Sequence, residues 1–188
     1  NRQTAFKFRR QRAVLRQIQQ IRQLVDQGAD AIILCCSNPT ALNASVKYAA
    51  DKGVPVFSMT GYLTSEYAIN SSVNYQVGGY EIGKAMADQL GGKGNVLVVE
   101  GIPGTSGSDS QNRGVLAGLA SSPDIKVVGS VAGMWTDQVA QGEVQKWLAT
   151  NPGKLDGIVV QSAAEMGVLR AVQQAGRGEI PVAIGGEL

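Results

Sequence analysis

Few side chains in this sequence are equipped to recognise or transform a small molecule. Trp135 lies in Gly133-Met134-Trp135-Thr136-Asp137, between a strand-like and a helix-like run. An indole in such a loop offers a flat apolar wall against which a small ligand can lie, with planar polar groups nearby to pair its polar atoms. A core tryptophan is the competing reading; it suits Trp147 better, which sits mid-helix beside Leu148. Catalytic groups are scarcer still. The chain has no histidine, and its two cysteines, Cys35 and Cys36, are adjacent in an apolar run. Nothing is present to activate a thiol, no carboxylate pair has a working acid/base spacing, and the usual zinc patterns are missing. A disulfide between neighbours is strained, so the pair reads as buried thiols on a strand. The chain is expected to be no enzyme, with no cofactor and no metal. The glycine-rich loop 101–107 lacks the Gly-Lys-Ser/Thr ending of a phosphate-binding loop and the spacing of a dinucleotide fingerprint.

The elements that must place these residues alternate. Leu15, Ile18, Ile21, Leu24 and Val25 fall at helical spacing, and Gly28 stands where a cap would. A buried strand is predicted over 31–35, a helix opening at Asn38-Pro39 and closing at Gly53, and a strand over 55–59. Residues 60–75 break the rhythm, with only a short strand-like run over 67–71. Beyond them come a helix over 76–90, a strand over 95–99, a helix to about 120, and a strand over 126–131. A helix over 137–149, a strand over 157–160, a helix over 164–175 and a strand over 181–184 complete the chain. Strands separated by amphipathic helices imply parallel sheets with right-handed crossovers. A domain boundary is expected near Val73-Asn74, leaving a first lobe of two strands, too few for a stable sheet. A strand before Arg12 would then be missing.

Composition agrees with a soluble α/β protein: 44% of the 188 residues are hydrophobic, 17% are charged and 24 are glycine. No apolar run approaches the roughly 20 residues that span a bilayer. Seven of the 17 basic residues precede the first acid, Asp26, so the other 10 face 15 acids. A basic arm for nucleic acid is one reading of that asymmetry. Arginines on the wet face of an amphipathic helix are the simpler one, and no nucleic-acid partner is expected. The N-terminus lacks the apolar region of a signal peptide, so an exported protein would here be a mature or truncated chain.

Several strings, taken in order, resemble the ribose/galactose-type periplasmic sugar-binding proteins, the type I substrate-binding proteins of ABC transporters. They are Gln17-Ile18 through Asp30-Ala31-Ile32-Ile33, Ala49 to Val56, Gly78-Gly79-Tyr80-Glu81-Ile82-Gly83, Gly101-Ile102-Pro103-Gly104-Thr105-Ser106, and Gly114 to Val128. Each is ordinary α/β punctuation; together, over about 17–187, they are specific. The resemblance implies an α/β, two-lobed type I fold with parallel sheets flanked by helices and a ligand cleft between lobes. Residues 1–73 would be part of the N-terminal lobe and 74–188 most of the C-terminal lobe. It also implies a periplasmic receptor, made as a precursor with a signal peptide, whose closed form is sensed by an ABC permease of the inner membrane and which works as a monomer on a sugar or polyol. The effector-binding domain of a LacI-type repressor shares the fold, but would need a helix-turn-helix upstream, and nothing before Gln17 resembles one.

Carried over residue by residue, the resemblance nominates ligand contacts. The family's Asp-Arg pair after the Pro-Val strand aligns with Thr60 and Gly61, with Tyr62 nearby. Its ligand-binding arginine aligns with Asp109 and a second one with Gln111, Arg113 being out of register. Its asparagine aligns with Gln161, its stacking aromatic with Trp135, and its last aspartate with Gly186, where Glu187 could supply the carboxylate. Asp109 stands open between accepting ligand hydroxyls and capping its helix with Ser108 and Ser110. These departures imply a polar solute other than ribose, since a ribose complex would lose hydrogen bonds worth roughly 1–3 kcal/mol each.

Overall fold

The computed structural model describes residues 2–185, with side chains from residue 13 onward. Contacts divide the chain into two compact units, Asn1–Val73 with Thr105–Gly107, and Asn74–Gly104 with Ser108–Leu188. Among the described residues no helix is long and apolar enough to cross a membrane.

The first unit begins with α1 (Arg2–Asp26) and continues through β1 (Ile32–Leu34), α2 (Asn43–Asp51), β2 (Val56–Ser58) and β3 (Ala68–Asn70). The strands form one parallel sheet in the order β1-β2-β3. Ile21 and Val25 of α1 pack with Ile32, Val46, Ala49, Val56 and Leu63 into its core. Two expectations need correction. The short run after residue 66 pairs with β2 as a third strand, so the unit has three strands rather than two. Asn38 and Pro39 do not open a helix. The Asn38 side chain accepts from the Thr40 and Ala41 amides at 3.0 and 2.8 Å. That local turn competes with helix, and α2 starts five residues later.

The second unit runs α3 (Tyr75–Gln89), β4 (Lys93–Glu100), α4 (Ser106–Leu119), β5 (Asp124–Ala132), α5 (Asp137–Thr150), β6 (Gly157–Gln161), α6 (Glu165–Gln174) and β7 (Val182–Gly185). Its parallel sheet has the order β5-β4-β6-β7. Strand alternation sorts the core. Val96 and Val98 face Met86, Val115 and Leu119 of α3 and α4. Leu97 and Val99 face Val144, Val168 and Val172 of α5 and α6. Between the Val96–Val127 and Leu97–Gly129 pairs, β5 holds one extra residue, Val128, a bulge. Helices α3 and α4 meet backbone to backbone. Side chains at Gly79 or Gly83 would strike the Gln111 or Val115 carbonyls of α4, and side chains at Gly114 or Gly118 the Gln76 or Tyr80 carbonyls of α3.

Candidate functional site

In the second unit the chain leaves β4 for the neighbour on one side, β5, then crosses back to β6 on the other. The carboxyl end of β4 is therefore a topological switch point, where open parallel sheets bind ligands. Three structural features gather there. Gln161, at the end of β6, is 1% exposed. Its amide oxygen accepts from the Gly101 N–H at 2.8 Å and the Ser108 hydroxyl at 3.0 Å, while its NH2 donates to the Ser108 carbonyl at 3.1 Å. One amide thereby ties the end of β4 and the first turn of α4 to the end of β6. The Trp135 indole lies on Gly101 so closely that any side chain at residue 101 would overlap the ring. Its place is set by two successive left-handed residues, Met134 (φ 59) and Trp135 (φ 54). Together with Ala163 (φ 65), they are the only non-glycine residues with positive φ among those described. All three follow the carboxyl ends of β5 and β6, where strain of this kind tends to mark function.

Asp109 stands in the first turn of α4, and its carboxylate accepts from the Gly104 N–H at 2.5 Å. It thus shapes the glycine-rich loop, while its half-buried position leaves it near the surface of the switch point. Of the two tryptophans, Trp147 packs against the α5/α6 core and over Gly129.

In the first unit, residues 60–62 follow β2. Thr60 and Tyr62 are exposed and Gly61 is buried. The Ser58 hydroxyl donates to the Gly61 carbonyl at 2.7 Å, closing the turn. Leu63, fully buried, pins its far side, with Asn70 accepting from the Leu63 N–H at 2.8 Å and donating to its carbonyl at 2.9 Å. Cys36 forms the floor. A side chain at Gly61 would overlap the Cys36 sulfur, and the thiol lies 3.4 Å from the Tyr62 carbonyl, to which it donates. Burial pushes this thiol up from its ordinary pKa. The cysteines depart from the sequence reading: the strand ends at Leu34, Cys36 is buried, and Cys35 is exposed.

Among the expected site residues, the second unit places Trp135 on the loop after β5, Gln161 at the end of β6 and Asp109 in the first turn of α4, around the carboxyl end of β4, and the first unit holds Thr60, Gly61 and Tyr62 in one turn. Glu187, with Gly186, lies outside the described residues. Sequence reasoning missed Ala163, whose backbone conformation carries no signal in an alanine, and Gln17, which grips the end of β1 from α1. Among the described residues no group of three or more His, Cys, Asp or Glu side chains is placed to hold a metal ion.

The chain matches known proteins along nearly its whole length. Residues 3–188 match the family described as a periplasmic binding protein domain, and the chain belongs to that family. It is 33% identical over 168 residues to a xylitol-binding protein of Mycolicibacterium smegmatis, covering 88% of this chain and 48% of that protein. A galactofuranose-binding protein of Escherichia coli is 27% identical, over 85% of this chain and 53% of its own length. Among solved structures, an ABC transporter periplasmic solute-binding protein from Actinobacillus succinogenes with bound D-allose superposes with a TM-score of 0.79 at 27% identity. The match covers 88% of this chain and 62% of that one. The chain spans about half the length of the curated relatives it matches. None of these three is a repressor or an enzyme.

Proposed function

We propose that this chain is part of a solute receptor of an ABC importer and that the receptor binds a sugar or polyol without transforming it. The observation that carries the proposal is Trp135. Two left-handed residues and a glycine together seat an indole against Gly101 at a sheet switch point, and an aromatic ring held there is suited to the C–H face of a polyhydroxylated ligand. The relatives that bind xylitol, galactofuranose and D-allose support the same chemical class. Residues 1–73 are assigned to one lobe and 74–188 to the other. The ligand contacts proposed are Thr60, Gly61, Tyr62, Asp109, Trp135 and Glu187. Gln161 serves the same site as a positioning residue, because its amide is already committed to Gly101 and Ser108. An inner-membrane permease as partner, a periplasmic location and a monomeric state complete the proposal. The test is calorimetric titration of the full-length protein with xylitol, other pentitols, D-allose and galactofuranose, with Trp135→Ala alongside. Stacking predicts about tenfold or greater weakening in the variant; equal affinity in the two proteins would refute it.

A further inference from the structure

Neither Cys35 nor Cys36 is among the proposed ligand contacts, yet Cys36 underlies the 60–62 turn and Cys35 is held beside it by Gln17. The Gln17 side chain grips the backbone on either side of the pair. Its NH2 donates to the Cys35 carbonyl at 2.7 Å, and its oxygen accepts from the Ser37 N–H at 2.9 Å and the Ser37 hydroxyl at 2.6 Å. Beyond that grip, the Cys36 sulfur carries Gly61 and bonds to the Tyr62 carbonyl. Cys35 is exposed on the wall of a groove between α1 and β1, with a volume of about 510 Å³.

We propose that Cys35 and Cys36 are a reversible thiol-modification site, in which oxidation to the neighbouring-residue disulfide unseats the 60–62 turn and weakens ligand binding. The regulatory part of this rests on the receptor reading above. The exposed Cys35 reacts first, because burial holds the Cys36 thiol in its protonated form. Cys35 thiolate attacks a low-molecular-weight disulfide, RSSR, forming a mixed disulfide and releasing one RSH. Cys36 then attacks the Cys35 sulfur, its proton passing to the departing thiolate, and a second RSH leaves. The two protein thiols are oxidised by two electrons, and RSSR is reduced to two RSH.

Geometry supplies the coupling. Cys35 is exposed and Cys36 buried, so the two side chains leave the backbone in different directions, and bringing their sulfurs within bonding distance must turn the backbone at 35–36, on top of the strain of a ring between neighbours. That turn pulls the Cys35 carbonyl from Gln17 and swings the Cys36 sulfur out from under Gly61. Residues 60–62 then lose both their floor and the bond to the Tyr62 carbonyl. The same ring strain favours reduction, which makes the modification reversible.

The experiment equilibrates full-length protein with dithiothreitol or with oxidised glutathione, beside Cys35→Ser. Three quantities are read: the mass of the 35–36 peptide after alkylation, calorimetric binding of xylitol and D-allose, and hydrogen exchange of residues 59–63. The expected result is loss of two hydrogen masses within one peptide, about tenfold weaker binding, and faster exchange at 61–63. Reductant reverses all three, and none occurs in Cys35→Ser. Intermolecular dimers or a stable glutathione adduct in place of the ring overturn the proposal. So does a ring that forms and leaves affinity and exchange unchanged. If the reduced protein binds neither probe while exchange responds to oxidation, the receptor reading fails and the thiol site stands.

Discussion

Replacing Gln161 by leucine separates a residue that supports the site from one that touches ligand. The substitution keeps the side-chain volume and removes all three of its hydrogen bonds. The Gly101 N–H is buried in the fold and loses its acceptor, which costs about 1–3 kcal/mol for a stranded donor. The two bonds to Ser108 contribute about 0.5–1.5 kcal/mol each, and the added apolar contact returns part of the sum. A net loss of about 2–4 kcal/mol is expected, a large share of the roughly 5–15 kcal/mol that holds a typical domain folded. Urea unfolding followed by tryptophan fluorescence measures it, because Trp135 and Trp147 both lie in the second unit. Hydrogen exchange at Gly101 supplies a local readout. If Gln161→Leu unfolds within about 0.5 kcal/mol of the parent and loses only affinity, Gln161 is a ligand contact and the support argument is wrong.

Four further outcomes follow from the same geometry. Gly61→Ala drives a methyl onto the Cys36 sulfur and should cost about 1–3 kcal/mol, with Cys36→Ala restoring part of it; additive losses in the double variant would count against the contact. Ala163→Gly relieves a left-handed alanine and should raise stability by up to about 1 kcal/mol, read as a higher unfolding midpoint; a lower midpoint would show the strain is not there. Trp147→Phe, which alters a core ring, should lower the thermal midpoint and leave sugar affinity within about twofold, in contrast to Trp135→Ala. Asp156 is held below the ordinary carboxylate range by its hydrogen bond from Lys154 and then by the Asn95 amide. A lowered folded pKa gives stability that is complete above the unfolded value, near 3.9, and is lost as pH falls through the folded one. Asp156→Asn should therefore flatten the acid limb of the stability curve, and an unchanged limb in urea titrations between pH 2 and 5 would contradict this.

The second unit was legible in sequence because each of its strands is a run of β-branched residues closed by a glycine or a polar turn. Expected and observed bounds there differ by only a few residues. The first unit was harder to read. Asn38-Pro39 carries the signals of both a helix start and a local turn, and the choice between them depends on the Asn38 side chain's own hydrogen bonds. A three-residue strand such as β3 has too little periodicity to stand out, and becomes a strand only through pairing with β2. The site divides in the same way. Trp135 could be singled out because an aromatic in a glycine-flanked loop is conspicuous. Gln17 could not, since its partners lie 18 to 20 residues along the chain and a glutamine on an amphipathic helix reads as an ordinary surface residue. Gln161 was noticed for its position, but its burial and its three bonds depend on β4 and α4 folding around it.

The four glycines where α3 meets α4 bear on how the second unit deforms. Most helix pairs touch through side chains, and rotamer changes there can absorb a small shift of one helix against the other. Here the contact is between main chains, with nothing soft interposed. The first turn of α4 carries Asp109, at the rim of the switch point. At these four positions no rotamer change can absorb a shift of that turn, so α3 and α4 are expected to move together, as one strut, under a load on the site.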